Sequence, residues 1–226
     1  MQYRILGEPM PVVECLLADG EMMKTQTGAM VWMSPNMQMD TTSDGGVGKA
    51  LSRAFSGESL FLNTYTAQGG SGMVAFASSF LGSIRGIQIA PDRPVIAQKS
   101  AFLAAEMGVE INIQFNRKIG AGFFGGEGFI MQRFDGFGMV FVEIDGYAVD
   151  RDLAVGESLI LNTGNLVMMD ASCTLDIVQV PGLKNKLLGG EGFFNTVVTG
   201  PGHIVIQTIT KNRVASELAP YITTGK

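Results

Sequence analysis

The sequence has few of the residues from which common catalytic and metal sites are built. It holds one histidine, His203, and two cysteines, Cys15 and Cys173, among 226 residues. A single imidazole cannot form a His-rich metal site, and no serine or cysteine motif stands beside it to complete a catalytic triad. The two cysteines lie far apart in apolar runs, which is typical of buried, reduced thiols. We therefore expect no enzyme activity and no cofactor, and we assign no metal.

Charge is also scarce, and its balance is acidic. Charged residues make up 16% of the chain, and the formal net charge is −5. A surface that neutralises phosphates needs clustered lysine and arginine, so nucleic acid is not expected as a partner. No basic residues are interleaved with the aromatic side chains as a base-stacking surface requires, and we expect the aromatic residues in the core. They are Trp32, Phe61, Phe102, Phe129, Phe141 and Phe193.

Long apolar runs are absent as well. No window approaches the roughly 20 consecutive apolar residues of a membrane-spanning helix. The opening MQYRILGEPM lacks the basic and apolar regions of a signal peptide, so we expect a cytoplasmic protein. The 14 methionines suit irregular contacts, and we expect part of this excess between subunits. Membrane association and an unidentified protein partner are left open, without support from the sequence.

An internal repeat is the clearest feature that the sequence does contain. A glutamate motif reads FSGESLFLN from Phe55, FGGEGFIMQ from Phe124 and LGGEGFFNT from Leu188. A glycine element follows it each time, as GSGMVAF from Gly70, GFGMVFV from Gly136 and GPGHIVI from Gly200. A third block precedes them, as GEMMKTQTGAMVWM from Gly20, DRPVIAQKSAFLAA from Asp92 and GESLILNTGNLVMM from Gly156. Three ordered blocks that recur three times predict three copies of one unit.

The predicted units span about 12–86, 87–150 and 151–211 within a single compact all-β body. Apolar and β-branched runs bounded by glycine or asparagine predict strands, and INIQF from Ile111 alternates as a half-buried strand does. The glycine elements predict hairpin turns, with the glutamate motif on the first strand. The turn glycines are Gly70, Gly72, Gly136, Gly138, Gly200 and Gly202.

Two short helices are predicted beside the strands. One spans about Val47 to Phe55, with Ser43 and Asp44 as cap candidates. The other spans about Val214 to Leu218, in a C-terminal stretch, 212–226, that ends in a loose tail. Neither is long enough to change the all-β class, which we expect as a repeated β-sandwich.

The repeated glutamates, Glu58, Glu127 and Glu191, are the candidate ligand residues. Around a pseudo-threefold axis they would offer three carboxylates to a divalent cation such as Ca²⁺ or Mg²⁺. Alternatively, each glutamate accepts backbone N–H bonds from its own glycine-rich turn. His203 fills the position that Met73 and Met139 hold in the other units, which favours a packing or rim role.

A family resemblance is carried by four blocks: TGAMVWM, FSGESLFLN, GFFGGEGFIMQRFDGFGMVFV and LLGGEGFFNTVVTGPGHIVIQT. From about Tyr3 to Lys211 the chain resembles prokaryotic members of the altered-inheritance-of-mitochondria protein 24 family, also called domain of unknown function 124. The resemblance implies a repeated β-sandwich similar to the tryptophan RNA-binding attenuation protein class, assembled as an oligomer. It supplies no catalytic residues. The mitochondrial role of eukaryotic relatives is not transferred, because no targeting segment is visible.

The function that we expect is a non-enzymatic scaffold that self-associates through β surfaces. The expected assembly is a homo-oligomer, a trimer or a multiple of it, because open sheet edges need covering. The alternative is a small-ligand or divalent-cation-binding module that uses the three glutamates.

Overall fold

A computed structural model of the chain describes residues 1–41, 62–117, 128–179 and 194–222. These residues form nineteen β-strands, one α-helix and a few short 3₁₀ turns. The expected all-β class is confirmed. No helix in these ranges is long and apolar enough to cross a membrane.

The strands fall into an N-terminal strand, β1 (Gln2–Leu6), and three segments of six strands each. The first segment holds β2 (Val12–Leu17), β3 (Met22–Gln26), β4 (Met30–Met33), β5 (Met37–Thr41), β6 (Leu62–Ala67) and β7 (Gly72–Ala77). The second holds β8 (Gly82–Ile89), β9 (Val95–Gln98), β10 (Phe102–Glu106), β11 (Val109–Arg117), β12 (Phe129–Gly136) and β13 (Gly138–Asp145). The third holds β14 (Ala148–Leu153), β15 (Ser158–Asn162), β16 (Leu166–Asp170), β17 (Thr174–Gln179), β18 (Phe194–Thr199) and β19 (Gly202–Gln207).

All of these strands pair antiparallel, and they form four sheets. Sheet I has the order β1-β2-β7-β4, and sheet II has the order β5-β6-β3-β10-β13-β8. Sheet III has the order β11-β12-β9-β16-β19-β14, and sheet IV has the order β15-β18-β17. Sheets II and III are each built from strands of two consecutive segments. Two strand pairs make these joins, β3 with β10 and β9 with β16.

Three apolar clusters hold the sheets together. Tyr65 and Phe76 belong to a cluster between sheets I and II. Phe102 and Phe134 belong to one between sheets II and III, and Phe129 belongs to one between sheets III and IV. The sheets therefore stack in the order I, II, III, IV, and each inner sheet has apolar residues on both faces. Burial of these side chains removes apolar surface from water, which is the main source of stability.

The glycine elements do not form hairpins, so that prediction is wrong. β6 lies in sheet II and β7 in sheet I, β12 in sheet III and β13 in sheet II, and β18 in sheet IV and β19 in sheet III. The six glycines lie at or beside sharp corners that move the chain between layers. At one corner Gly138 has φ +138°, and a Cβ there would lie 3.0 Å from a carboxylate oxygen of Glu106. The local pattern of a corner is the same as that of a hairpin, and only the distant partner strands distinguish them.

The C-terminal helix, α1 (Lys211–Leu218), starts earlier than predicted. Thr210 caps it by accepting a hydrogen bond from the backbone N–H of Arg213, a standard N-cap arrangement. The helix predicted over 47–55 lies outside the described residues. The predicted boundary between 86 and 87 falls within β8, and the division into three units stays a prediction.

Both cysteines are buried free thiols, as expected. Burial raises the pKa of Cys15 to about 12, because the thiolate would lose its hydration there.

Of the aromatic residues expected in the core, Phe102, Phe129 and Phe141 are buried as predicted, whereas Trp32 is 43% exposed on the edge strand β4. The residues Phe61 and Phe193 lie outside the described ranges.

Within the described residues, the ninth residue of the glutamate motif is a buried polar side chain with at least one unbonded polar atom in each copy. Gln132 on β12 is fully buried, and neither its amide nitrogen nor its amide oxygen is bonded. The other two are Asn63, whose Oδ1 is unbonded, and Thr196, whose Oγ1 is unbonded. An unbonded polar group in a protein interior lowers stability, since its hydrogen bonds to water are lost on folding.

We expect Gln132→Met to stabilise the protein by about 1–3 kcal/mol, because methionine has a similar shape and no unpaired amide. Urea unfolding measures the change. The matched control is Gln98→Met, since the buried amide of Gln98 donates to the carbonyl oxygen of Thr163 at 3.2 Å. The control should lower the free energy of unfolding. A Gln132→Met protein that is also less stable would contradict the prediction.

Candidate functional site

The three predicted ligand glutamates lie outside the residues that the structure describes. Glu58 belongs to 42–61, Glu127 to 118–127 and Glu191 to 180–193. Their proposed convergence on a cation therefore stays a prediction. Within the described ranges, no group of three or more His, Cys, Asp or Glu side chains has the geometry of a metal site.

Each glycine corner is fixed by a side chain at the end of a neighbouring strand or directly after it. An oxygen of that side chain accepts a hydrogen bond from the backbone N–H that follows the second glycine, at 2.6 to 3.0 Å. The acceptor and donor residues are Ser34 and Met73, Glu106 and Met139, and Asp170 and His203. Because the acceptor changes from serine to glutamate to aspartate, the sequence pattern did not reveal it. These bonds satisfy backbone donors where the chain leaves one sheet for the next.

His203 lies in an ionic cluster where β8 of sheet II meets β14 and β19 of sheet III. Its Nδ1 lies 2.7 Å from Asp152 Oδ1, and its Nε2 lies 2.9 Å from Asp150 Oδ1. Arg85 holds Asp150 with two guanidinium nitrogens, at 2.5 and 3.0 Å. The Arg85 guanidinium lowers the pKa of Asp150 to about 2, and Asp152 raises the pKa of His203.

This cluster ties two sheets together at their rim, in keeping with the rim role expected for His203. Both imidazole nitrogens are occupied by carboxylates, so neither is available to activate a nucleophile. The sequence analysis missed the carboxylates. Asp150 and Asp152 are alternate residues of one strand, and such residues share a face of the sheet. That spacing is the signal that could have identified them.

A cleft of about 340 Å³, lined mainly by polar residues, opens at the ends of sheets II and III. Its lining is made of strand ends, turns and the start of α1: Gln26, Gln98, Lys99, Ser100, Gly128, Phe129, Ile130, Asp145, Gly164, Gln207, Thr210, Lys211 and Asn212. Lys211 Nζ lies 2.8 Å from Glu143 Oε1 and 3.8 Å from Asp145 Oδ1. Burial raises the pKa of Asp145 to about 6. The cleft thus contains a carboxyl group that binds a proton more readily than an ordinary aspartate does.

Amide side chains brace the cleft walls. The amide nitrogen of Gln26 donates to the carbonyl oxygen of Lys99 at 3.1 Å. The amide of Gln207 donates to Gly164 O at 2.9 Å and accepts from the backbone N–H of Asp145 at 2.9 Å. These bonds connect the ends of sheets II and III, so the cleft shape is fixed by the fold.

Two sheet edges carry exposed apolar side chains. β4 ends sheet I, and β15 ends sheet IV, so each has one neighbour among the described strands. Trp32 and Met33 on β4 are 43% and 37% exposed, and Ile160 on β15 is 63% exposed. Trp32 Nε1 donates to Glu14 Oε1 at 3.1 Å, which holds the indole against the outer face of sheet I. Exposed apolar edges of this kind invite pairing with another strand.

The profile of the family described as mitochondrial biogenesis AIM24 matches residues 3–209. The chain belongs to the AIM24 family. An uncharacterised protein of Streptococcus pyogenes serotype M6 is 28% identical over 224 residues, which cover 95% of this chain and 88% of that protein.

The AIM24 fold has also been seen by crystallography. An X-ray structure of a Streptococcus pyogenes protein superposes with a TM-score of 0.79 at 24% identity, covering 98% of this chain and 99% of that one. At that identity the likeness supports the fold alone. The family expected from the sequence blocks is therefore confirmed. The names of these two relatives state no biochemical activity.

We expect the pKa of His203 to lie above that of an ordinary histidine, because Asp152 and Asp150 stabilise the protonated imidazole. A raised folded-state pKa adds stability below the unfolded value, and this stability is lost as pH rises through the folded value. His203 is the chain's only histidine, so one imidazole resonance followed by NMR gives its pKa directly. Asp152→Asn should lower that pKa, whereas Asp176→Asn, on the distant strand β17, should not. Equal titrations in all three proteins would contradict this account.

Proposed function

We propose that the protein is a non-enzymatic scaffold that self-associates through its β sheets, as a trimer or a multiple of it. The observation that carries the proposal is the exposure of apolar side chains on the two outermost sheets. Leu16 and Trp32 are 46% and 43% exposed on sheet I, and Ile160 and Val178 are 63% and 40% exposed on sheet IV. Apolar surface of this kind on both ends of a stack suits contact with further copies.

We also propose that the chain consists of three copies of one β unit, similar to the tryptophan RNA-binding attenuation protein class. The order of strand pairing supports this. The first segment pairs β2-β7-β4 and β5-β6-β3, the second β8-β13-β10 and β11-β12-β9, and the third β14-β19-β16 and β17-β18-β15. The registers support it too, since a shift of one residue falls at the same repeat position in β4, β10 and β16.

The engagement of His203 by two carboxylates supports a role without catalysis. The formal net charge of −5 supports the proposal that nucleic acid is not a partner. Two buried free thiols fit a reducing compartment, which supports a cytoplasmic location. We propose no cofactor.

Light scattering across a dilution series tests the scaffold proposal. We expect a discrete homo-oligomer that persists at micromolar concentration, because burial of the exposed apolar side chains favours association. A monomer throughout the series would overturn the proposal and would direct the search to a different partner for sheets I and IV.

We propose a second candidate function, a small-ligand or divalent-cation-binding module. The cleft favours it, because Gly128, which lines the cleft, directly follows Glu127 in sequence. Calorimetric titration with Ca²⁺, Mg²⁺ and Mn²⁺ tests it. We expect binding heat in the wild type and less in Glu127→Gln, since a carboxylate is a better ligand for these cations than an amide. No heat in either protein would overturn this candidate.

A further inference from the structure

The chain contains two strand junctions of one kind, each joining consecutive segments. In sheet II, Ala105 on β10 lies opposite Lys24 on β3. In sheet III, Met169 on β16 lies opposite Ile96 on β9. These residues hold the same two positions of the third repeat block, so both junctions have the same register. Each joins the second strand of one segment to the third strand of the next.

One second strand and one third strand are left without such a partner among the described strands. They are β15, the second strand of the last segment, and β4, the third strand of the first. In the repeat block, Ile160 on β15 corresponds to Lys24 and Ile96, and Met33 on β4 corresponds to Ala105 and Met169. Among the described strands, these two edges therefore carry the repeat positions that form the two halves of a junction in sheets II and III.

The burial of the corresponding residues differs sharply. Lys24 and Ile96 are 4% and 3% exposed within their junctions, whereas Ile160 is 63% exposed. Ala105 and Met169 are 0% and 3% exposed. On β4, Met33 is 37% exposed. These positions become buried wherever a junction forms, so the exposure of Ile160 and Met33 marks a surface of the kind that a junction covers.

We propose that β15 of one copy pairs antiparallel with β4 of a second copy, with Ile160 opposite Met33 and Leu161 opposite Trp32. The inference rests on the proposed scaffold function and names its interface. Sheet IV of one copy and sheet I of the next then become one continuous sheet of order β17-β18-β15-β4-β7-β2-β1. Its central order repeats that of sheets II and III.

The occupant of each edge is a second copy of this chain because the matching half of the junction is encoded at the chain's other end. No apolar cluster among the described residues joins sheet I to sheet IV of the same chain. The interface is head to tail, since two different surfaces meet. Such an interface builds a closed ring when the rotation between copies closes, and a filament when it does not.

Two single-edge variants test the pairing. Met33→Glu places a charge on β4 and leaves β15 intact, and Ile160→Glu does the reverse. We expect each variant alone to lose all species larger than the monomer at the concentration where the wild type assembles. An equimolar mixture should form a dimer and nothing larger, because it contains one intact β15 edge and one intact β4 edge. Tyr147→Glu, at a turn residue that is 73% exposed, is the matched control and should assemble as the wild type does.

The outcomes separate the two proposals. A wild-type monomer overturns the scaffold and the pairing together. A wild-type oligomer that survives both edge variants, or a mixture that stays monomeric, overturns the pairing alone. Assembly lost in Met33→Glu but kept in Ile160→Glu would mean that β4 edges pair with each other, which also overturns it.

Cysteine cross-linking gives an independent measurement if either glutamate variant fails to fold. Opposite residues of an antiparallel pair have Cβ atoms about 4.5–5.5 Å apart, and diagonal neighbours are about 7–8 Å apart. A mixture of Met33→Cys and Ile160→Cys chains should form an intermolecular disulfide on mild oxidation, and Met33→Cys with Ser158→Cys should not. The native thiols are buried and free. Equal cross-linking of both mixtures, or a disulfide formed within one monomeric Met33→Cys, Ile160→Cys chain, would overturn the pairing.

Discussion

The pairing of strands from consecutive segments is the constraint on which the rest of the structure depends. Because β3 pairs with β10, and β9 with β16, sheets II and III belong to two segments at once. A sheet shared in this way lies between two neighbours and must be apolar on both faces. The high apolar content of a chain without a membrane-spanning helix in its described part follows from this requirement.

The same constraint explains where the polar residues lie. A buried charge at a shared sheet needs a hydrogen-bond partner. The ammonium group of Lys24 donates a hydrogen bond to the carbonyl oxygen of Val109 across the junction region. Burial lowers the pKa of Lys24 to about 8, because the charged ammonium is less stable in the protein interior than in water. The Arg85, Asp150 and His203 cluster lies at the rim instead, where water reduces that cost.

The sequence predicted the strands and the family because both signals are local. Alternation in INIQF corresponds to β11, and the apolar runs around Phe102 and Phe141 correspond to β10 and β13. The assignment of strands to sheets could not be predicted, because it depends on partners tens of residues away. The cleft and the ionic cluster were missed for the same reason, since residues from different segments build them. The repeated glutamates were predicted as ligands only because they recur in the motif, and they fall outside the described residues.

Shared sheets also set the order in which the chain can complete its structure during synthesis. β3 emerges from the ribosome about eighty residues before β10, its partner. Until β10 has been made, the edge of β3 in sheet II is therefore unpaired. Sheet III cannot be finished until β19, close to the C-terminus, has been made. Each segment pairs three of its strands in one layer and three in the next, yet it still lacks the neighbouring strand at each junction edge until the adjoining segment has been made. During synthesis the chain therefore carries a junction edge that stays open until its partner strand has been made, and exposed edges of this kind favour pairing with other chains.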